Sequence, residues 1–89
     1  MVKEQLLPKW FTNQGYTLYE KGDRVTNIFS GESYELNAVE LSMYDFIMGT
    51  QYLLEVAPHV MNKKRMAQFR KGLEWFRRNN VDAYMVLLD

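Results

Sequence analysis

Hydrophobic residues recur at helical spacing between residues 38 and 56, in the middle of the chain. At about 100° per residue, one set of them falls within an arc of about 120°: Val39, Met43, Phe46, Ile47, Leu53 and Leu54. Asn37 and Glu40 have the spacing of a capping box at the start of this segment, with Asn in place of Ser or Thr. Pro58 restricts the backbone of Ala57 and marks the exit. The pattern predicts a helix over residues 38–56 that buries one stripe in the core.

A second apolar stripe runs along the same helix, apart from the first. Its members have the spacing i, i+3, i+7 and i+11: Leu41, Tyr44, Met48 and Tyr52. Three interpretations stay open: the helix lies between two layers of its own domain, the stripe is an interface with another copy of the chain, or it lines a cofactor pocket. The first is the ordinary arrangement of a central helix, and the enrichment of Tyr and Met at interfaces favours the second. Gly49, near the edge of the stripe, costs about 1 kcal/mol relative to Ala inside a helix, so we expect another segment to approach closely there.

A second long helix is predicted over residues 62–79, where Asn62 serves as the cap and Asn79–Asn80 end the helix in the left-handed conformation. Its apolar residues share one face: Met66, Phe69, Leu73 and Phe76.

Charge is segregated along the chain, because residues 25–62 hold five acids and no Lys or Arg, whereas residues 63–78 hold seven bases and one acid. Six of the bases form two rows at a spacing of seven, with Trp75 beside the second row: Lys63, Arg70 and Arg77, and Lys64, Lys71 and Arg78.

The two basic rows also allow three interpretations. They form the solvated face of an amphipathic core helix, they face the acidic helix of the same or a neighbouring chain, or they contact nucleic acid or phosphate. In the third case Trp75 would stack on a base while Lys and Arg contact the backbone. No helix-turn-helix, zinc-finger, KH or RNA-recognition signature accompanies the rows, so such binding would be weak, salt-sensitive and non-specific.

Shorter elements complete the prediction. Residues 3–14 are predicted to form a short helix, with Pro8 in its first turn and Gly15 ending it. Residues 16–19 and 25–29 are rich in β-branched and aromatic residues and are followed by turn residues, and residues 33–36 form the return strand. One or two short hairpins result, and they must pack on a helix to be stable. Residues 82–88 form either a helix or a buried strand, and Asp82 at the cap position favours the helix.

Composition favours one small folded domain that covers residues 1–89. The chain has no cysteine, 47% hydrophobic residues, and 11 basic against 11 acidic residues, so its formal charge is zero. The lack of cysteine excludes disulfides and thiolate metal sites, and the zero charge removes any whole-molecule attraction to nucleic acid or an anionic membrane. No run of about 18 apolar residues occurs, and the first five residues lack the apolar stretch of a signal peptide, so we expect an intracellular protein that does not enter a membrane. So short a chain has a thin core, for which self-association is a common remedy.

Residues suited to catalysis are scarce. His59 is the single histidine, and we interpret it as a surface residue in a loop. A serine-type triad would lack the Gly-x-Ser-x-Gly elbow, and the five glycines form no phosphate-binding motif. Carboxylate pairs such as Glu32 with Glu35 arise by chance in a chain with 11 acids. We therefore expect no catalytic residue, no metal ligand and no cofactor.

Three stretches of the sequence carry a resemblance to known proteins. They are VTNIFSGESYELNAVELSMYDFI at residues 25–47, KGLEWFR at residues 71–77 and AYMVLL at residues 83–88. Together they resemble small uncharacterised proteins encoded by tailed marine phages, over most of the chain. The resemblance implies a viral accessory or structural protein that acts inside a bacterial host, and it implies no activity and no site residues.

The sequence as a whole predicts a mainly α-helical domain with two long helices packed antiparallel, short terminal helices and a small β-hairpin, or an α+β fold if the hairpin is extended. The preferred function is a non-enzymatic interaction protein that forms a homo-oligomer, or that contacts a phage or host protein. The interface residues are those of the second stripe: Leu41, Tyr44, Met48 and Tyr52. The alternative is a weak, non-specific nucleic-acid-binding accessory factor whose contact residues are Lys63, Lys64, Arg70, Lys71, Arg77, Arg78 and Trp75.

Overall fold

The fold is mainly α-helical with one small hairpin, as the sequence predicts. The structure is a computed structural model that describes residues 5–16 and 18–88. The elements follow one another along the chain as α1 (Lys9–Thr12), β1 (Asp23–Thr26), β2 (Ser33–Leu36), α2 (Ala38–Val56), a 3-10 turn (Pro58–Val60), α3 (Lys63–Asn79) and α4 (Val81–Leu87). None of these helices is long and apolar enough to cross a membrane.

The two long helices begin and end where their local sequence signals place them. The side chain of Asn37 accepts a 2.8 Å hydrogen bond from the backbone N–H of Glu40, and the Glu40 carboxylate accepts a 3.1 Å bond from the backbone N–H of Asn37, so the capping box is confirmed. Asn62 caps α3 by accepting a 2.9 Å bond from the backbone N–H of Arg65. These bonds satisfy donors that the first turn of a helix otherwise leaves unpaired.

Helices α2 and α3 pack closely at Gly72. A Cβ atom at this position would lie 3.1 Å from Cε2 of Phe46 and 3.2 Å from Sδ of Met43, so only glycine lets the two helices approach this far without displacing those side chains. Met43, Phe46 and Phe76 are buried beside it, as the predicted core stripes require. Leu53, which we assigned to the same stripe, is exposed, so that assignment is wrong: its side chain borders an open cleft between α2 and α3 instead of the core.

The hairpin packs on the helices, which confirms that it does not stand alone. β1 and β2 are antiparallel, with Val25 opposite Tyr34, and β2 contacts both α2 and α4. The predicted return strand of residues 33–36 is confirmed, but the predicted strand of residues 25–29 is too long. Asn27 ends it, because its side chain accepts a 2.9 Å bond from the backbone N–H of Phe29 and turns the chain.

The segment before the hairpin differs from its prediction. Helix α1 covers only Lys9–Thr12, because Pro8 is extended, with ψ 152°; Lys3 and Glu4 of the predicted helix lie outside the described residues. Gly15 has φ +72°, which confirms the left-handed end. Tyr16, Leu18 and Tyr19 form no strand, and Thr17 lies outside the described residues. The chain instead runs along α2, where the backbone N–H of Tyr19 donates a 2.9 Å bond to Oγ of Ser42.

The C-terminal segment is helical, as the cap position suggested, but its cap is a different residue. The side chain of Asn80 accepts a 3.1 Å bond from the backbone N–H of Ala83, so Asn80 rather than Asp82 caps α4. The prediction that Asn79–Asn80 end α3 in the left-handed conformation is also wrong, because Asn80 has φ −156°. A non-helical backbone at Asn80 is what a helix cap needs, since the residue closes one helix and starts the next. Ala83 and Leu87 of α4 are buried in the core.

Candidate functional site

The second stripe of α2 divides into a covered half and an exposed half. Leu41 and Tyr44 are half-buried and pack against the core of their own chain. The ring centroid of Tyr44 lies 6.3 Å from that of Phe76, and burial raises the pKa of the Tyr44 phenol. Met48 and Tyr52 are exposed. The interpretation that α2 lies between two layers of its own domain therefore holds for Leu41 and Tyr44. Met48 and Tyr52 are not covered by any other part of the described chain.

The exposed half of the stripe extends further than the sequence pattern suggested. Met48, Tyr52 and Val56 follow one another at intervals of four residues, which places them in one row along α2. The exposed fraction is 63% for Tyr52 and 57% for Val56. We call these three residues the α2 patch. Val56 was missed because the stripe was ended at Tyr52, although the i+4 spacing from Tyr52 was a signal that could have found it.

Gly49 beside the patch does not have the role that we expected. No atom lies within 4 Å of a Cβ built at Gly49, so no other segment of the described chain approaches it. The close approach that we expected at Gly49 is therefore not made by the described chain. The glycine leaves a shallow, exposed position on the helix instead.

The basic rows lie on the exposed face of α3. All six of their residues are exposed. Arg77 donates 2.9 Å hydrogen bonds to both carboxylate oxygens of Glu74, and Arg78 donates a 3.0 Å bond to the same group. The hydrogen bond from Arg77 lowers the pKa of the Glu74 carboxyl, and the same contact raises the pKa of Arg77. Arg77 and Arg78, the last residues of the two rows, are thus already paired with an acidic residue of the same chain.

Trp75 does not present a free ring beside the rows, contrary to our expectation. Its indole Nε1–H donates a 2.9 Å hydrogen bond to the backbone oxygen of Leu6, and the ring is half-buried against the core. Leu6 and Pro8 flank it in a shallow groove. The sequence could not show this, because Leu6 lies 69 residues away from Trp75 along the chain.

The tip of the hairpin is a second exposed apolar feature that the sequence analysis missed. Ile28 is 83% exposed and Phe29 is 91% exposed. The loop that carries them is held by Asn27, whose side-chain amide donates a 2.9 Å bond to the backbone oxygen of Val86 in α4. The sequence analysis assigned Ile28 and Phe29 to a strand because they are β-branched and aromatic residues. The Asn, Ser and Gly residues around them were the available turn signal.

A cleft of about 780 Å³ opens between α2 and the first half of α3. Residues 14–16 close a third side. The cleft is lined by both aromatic and polar or charged side chains, among them Tyr16, Asp45, Phe46, Lys64, Arg65 and Gln68. No sequence motif marks the cleft, because its walls come from three separate segments.

No candidate metal centre emerges from the described part of the chain, where no three His, Asp or Glu residues cluster. His59 is exposed in the 3-10 turn. Comparison of the chain with protein-family models, with curated proteins and with solved structures finds no match. The interpretation of the surface therefore depends on its own geometry and chemistry.

Proposed function

We propose that the protein is a non-enzymatic interaction protein that associates with a second copy of itself through the α2 patch. The observation that supports this proposal is the row of Met48, Tyr52 and Val56, exposed together on a regular 19-residue helix. Tyrosine and methionine are over-represented in the cores of protein interfaces, where they bury large area. An amphipathic helix face that its own chain leaves uncovered is a common site of association.

Leu41 and Tyr44 have a supporting role in this proposal. Both pack against the core of their own chain, so they hold α2 in place beneath the contact. The exposed edge of Tyr44 continues the row toward the start of the helix. The predicted four-residue interface therefore becomes a contact centred on Tyr52, with Met48 and Val56 on either side.

A second copy of the chain suits this patch because of symmetry. A two-fold contact packs the same surface of both copies together, so one row of three apolar residues supplies both sides. The formal charge is zero, so two copies do not repel each other as whole molecules. Helix α2 has no basic residue, and exposed Asp45 and Glu55 flank the patch. Like charges therefore oppose the contact locally, and added salt should strengthen association by screening them.

Size-exclusion chromatography with light scattering tests the proposal over a series of protein and salt concentrations. We expect the mass to rise from one chain toward two as either concentration increases. Tyr52→Glu should hold the protein as a monomer, because it places a charge at the centre of the contact. Met85→Glu is the matched control, since Met85 is also exposed but lies on α4. A strict monomer at high micromolar concentration would reject self-association.

The alternative is a weak, non-specific nucleic-acid-binding accessory factor that uses α3. The exposed side chains of Lys63, Lys64, Arg70 and Lys71 favour it, because they form no ion pair with a carboxylate of the described chain. The contacts of Trp75 with Leu6 and of Arg77 and Arg78 with Glu74 weaken it. Binding to an oligonucleotide should fall as salt rises, which is opposite to the expected effect on self-association. No binding at low salt would exclude this alternative.

The biological setting of the proposal comes from the sequence resemblance. A phage accessory or structural protein would act in the cytoplasm of a bacterial host, where its partner is another copy or a phage or host protein. This setting stays a prediction. Self-association can be tested without it.

A further inference from the structure

Gly49 has no role that the described chain explains. It lies inside the regular helix α2, where glycine is less favourable than alanine. Its φ is not positive, so its backbone conformation does not require glycine. No described atom lies within 4 Å of a Cβ built there, so no described segment needs the space either. The packing reason that is left is a close approach to the helix by another molecule.

The space over Gly49 is a recess with apolar neighbours. Tyr52 and Leu53 follow Gly49 by three and four residues, so both lie next to it on the helix surface. Both are exposed, and the exposed fraction of Leu53 is 37%. Gly49 and Leu53 also line the cleft between α2 and α3, which keeps the space beside them open. The recess therefore lies between the α2 patch and the cleft, where an apolar group can enter it from outside.

The interior of the fold shows what fills such a recess. A Cβ at Gly72 of α3 would lie 3.1 Å from Cε2 of Phe46, so an aromatic ring of one helix packs directly against a glycine of the other. Gly49 is an exposed glycine on a helix, and Tyr52 is an exposed aromatic residue on the same helix. The Tyr52 ring does not lie over Gly49 of its own chain, because no described atom is within 4 Å of that Cβ. Helix α2 thus carries both halves of such a contact, and the described chain uses neither.

We propose that Tyr52 of each copy packs into the recess at Gly49 of the other copy. This inference rests on the self-association proposed above, and it adds Gly49 and Leu53 to the contact. A two-fold axis makes the two contacts equivalent, so a projecting ring and a recess one turn apart on the same helix complement themselves. Gly49 is then the residue that determines specificity, because any side chain at this position fills the recess before the ring can enter.

The dimer dissociation constant of the full chain, measured by analytical ultracentrifugation, tests this proposal. Gly49→Leu enlarges the apolar surface, so a contact that depends on apolar area alone would become tighter. We expect it instead to weaken dimerisation roughly tenfold, because the leucine occupies the recess. Gln51→Leu is the matched control, since it adds the same side chain at an exposed position on the other side of α2 and should leave the constant unchanged. Unchanged or tighter dimerisation of Gly49→Leu would overturn the recess contact and leave self-association through the α2 patch in place.

A double-mutant cycle identifies Tyr52 as the group that enters the recess. Gly49→Ala should weaken dimerisation while it raises the urea midpoint of the dilute monomer, and a change in helix stability alone does not give these opposite effects. Tyr52→Leu keeps the patch apolar but removes the ring, so Gly49→Ala should weaken dimerisation less in that background. Equal weakening in both backgrounds would overturn the proposal. A wild-type chain that stays monomeric at high micromolar concentration would reject self-association itself, and this contact with it.

Discussion

The carboxylate of Glu40 accepts a 3.0 Å hydrogen bond from the side-chain amide of Asn80, which joins the start of α2 to the junction of α3 and α4. The same carboxylate oxygen accepts a 2.8 Å bond from the side chain of Gln5, and the other accepts from the backbone N–H of Asn37. Glu40 is buried. One carboxylate thus connects three parts of the chain that are distant in sequence.

Replacement of Glu40 should therefore destabilise the fold. Glu40→Ala leaves three donors without their acceptor, and we expect the free energy of unfolding to fall by about 2–3 kcal/mol. Glu55→Ala is the matched control, because it removes an exposed glutamate from the same helix and should change stability by less than about 0.5 kcal/mol. Urea denaturation measures both. Equal effects of the two substitutions would contradict the connecting role of Glu40.

Local signals allowed the long helices to be predicted, and distant contacts explain most of what was not. Asn37, Glu40 and Pro58 act within a few residues of α2, so its bounds of 38–56 follow from the sequence alone. The partners of Glu40 lie 35 and 40 residues away, and Leu6 lies 69 residues from Trp75. The periodicity of hydrophobic residues within one helix cannot indicate contacts between residues so far apart in sequence.

The same distinction applies to the candidate site. The periodicity of α2 identified a second stripe, but which half stays exposed depends on how Leu41 and Tyr44 pack against the core. The cleft was missed for the same reason, because its lining residues come from α2, from α3 and from residues 14–16, which only the packing of the chain brings together.

Gly22 should tolerate no side chain. A Cβ atom there would overlap the backbone oxygen of Leu36 and lie 2.8 Å from Cα of Asn37, and neither backbone group can move without disturbing β2 and the start of α2. We expect Gly22→Ala to lower the free energy of unfolding by about 2 kcal/mol. Thermal unfolding followed by circular dichroism checks this. An unchanged melting temperature would show that the two segments do not pack as closely as described.

Gly49 should behave in the opposite way. It lies inside α2 with open space around its Cα, so Gly49→Ala gains helix propensity without a clash. The expected gain is about 0.5–1 kcal/mol in the free energy of unfolding, because glycine has the greater freedom in the unfolded chain. Urea denaturation of dilute, monomeric protein measures it. A loss of stability there would mean that another part of the same chain covers Gly49.

The pH dependence of stability should include a contribution from Glu74. Because its hydrogen bond with Arg77 lowers the pKa of this carboxyl from the ordinary value of 4.5, the unfolded chain binds the proton at higher pH than the folded chain. The contribution is complete above pH 4.5 and is lost as the pH falls through the folded pKa. Glu74→Gln should therefore show a shallower loss of stability in acid, and the difference should shrink in high salt. Parallel pH profiles at low salt would refute this contribution.

Cysteine cross-linking tests self-association through the α2 patch most directly. The chain has no cysteine, so Tyr52→Cys introduces a single thiol at the centre of the patch, and Met85→Cys places one on α4 as a control. A two-fold contact brings a residue at its centre close to the same residue of the other copy. We predict that Tyr52→Cys gives a disulfide-linked dimer under mild oxidation much faster than Met85→Cys does, and that added salt increases the difference. Equal, slow cross-linking of both variants would contradict the proposed contact.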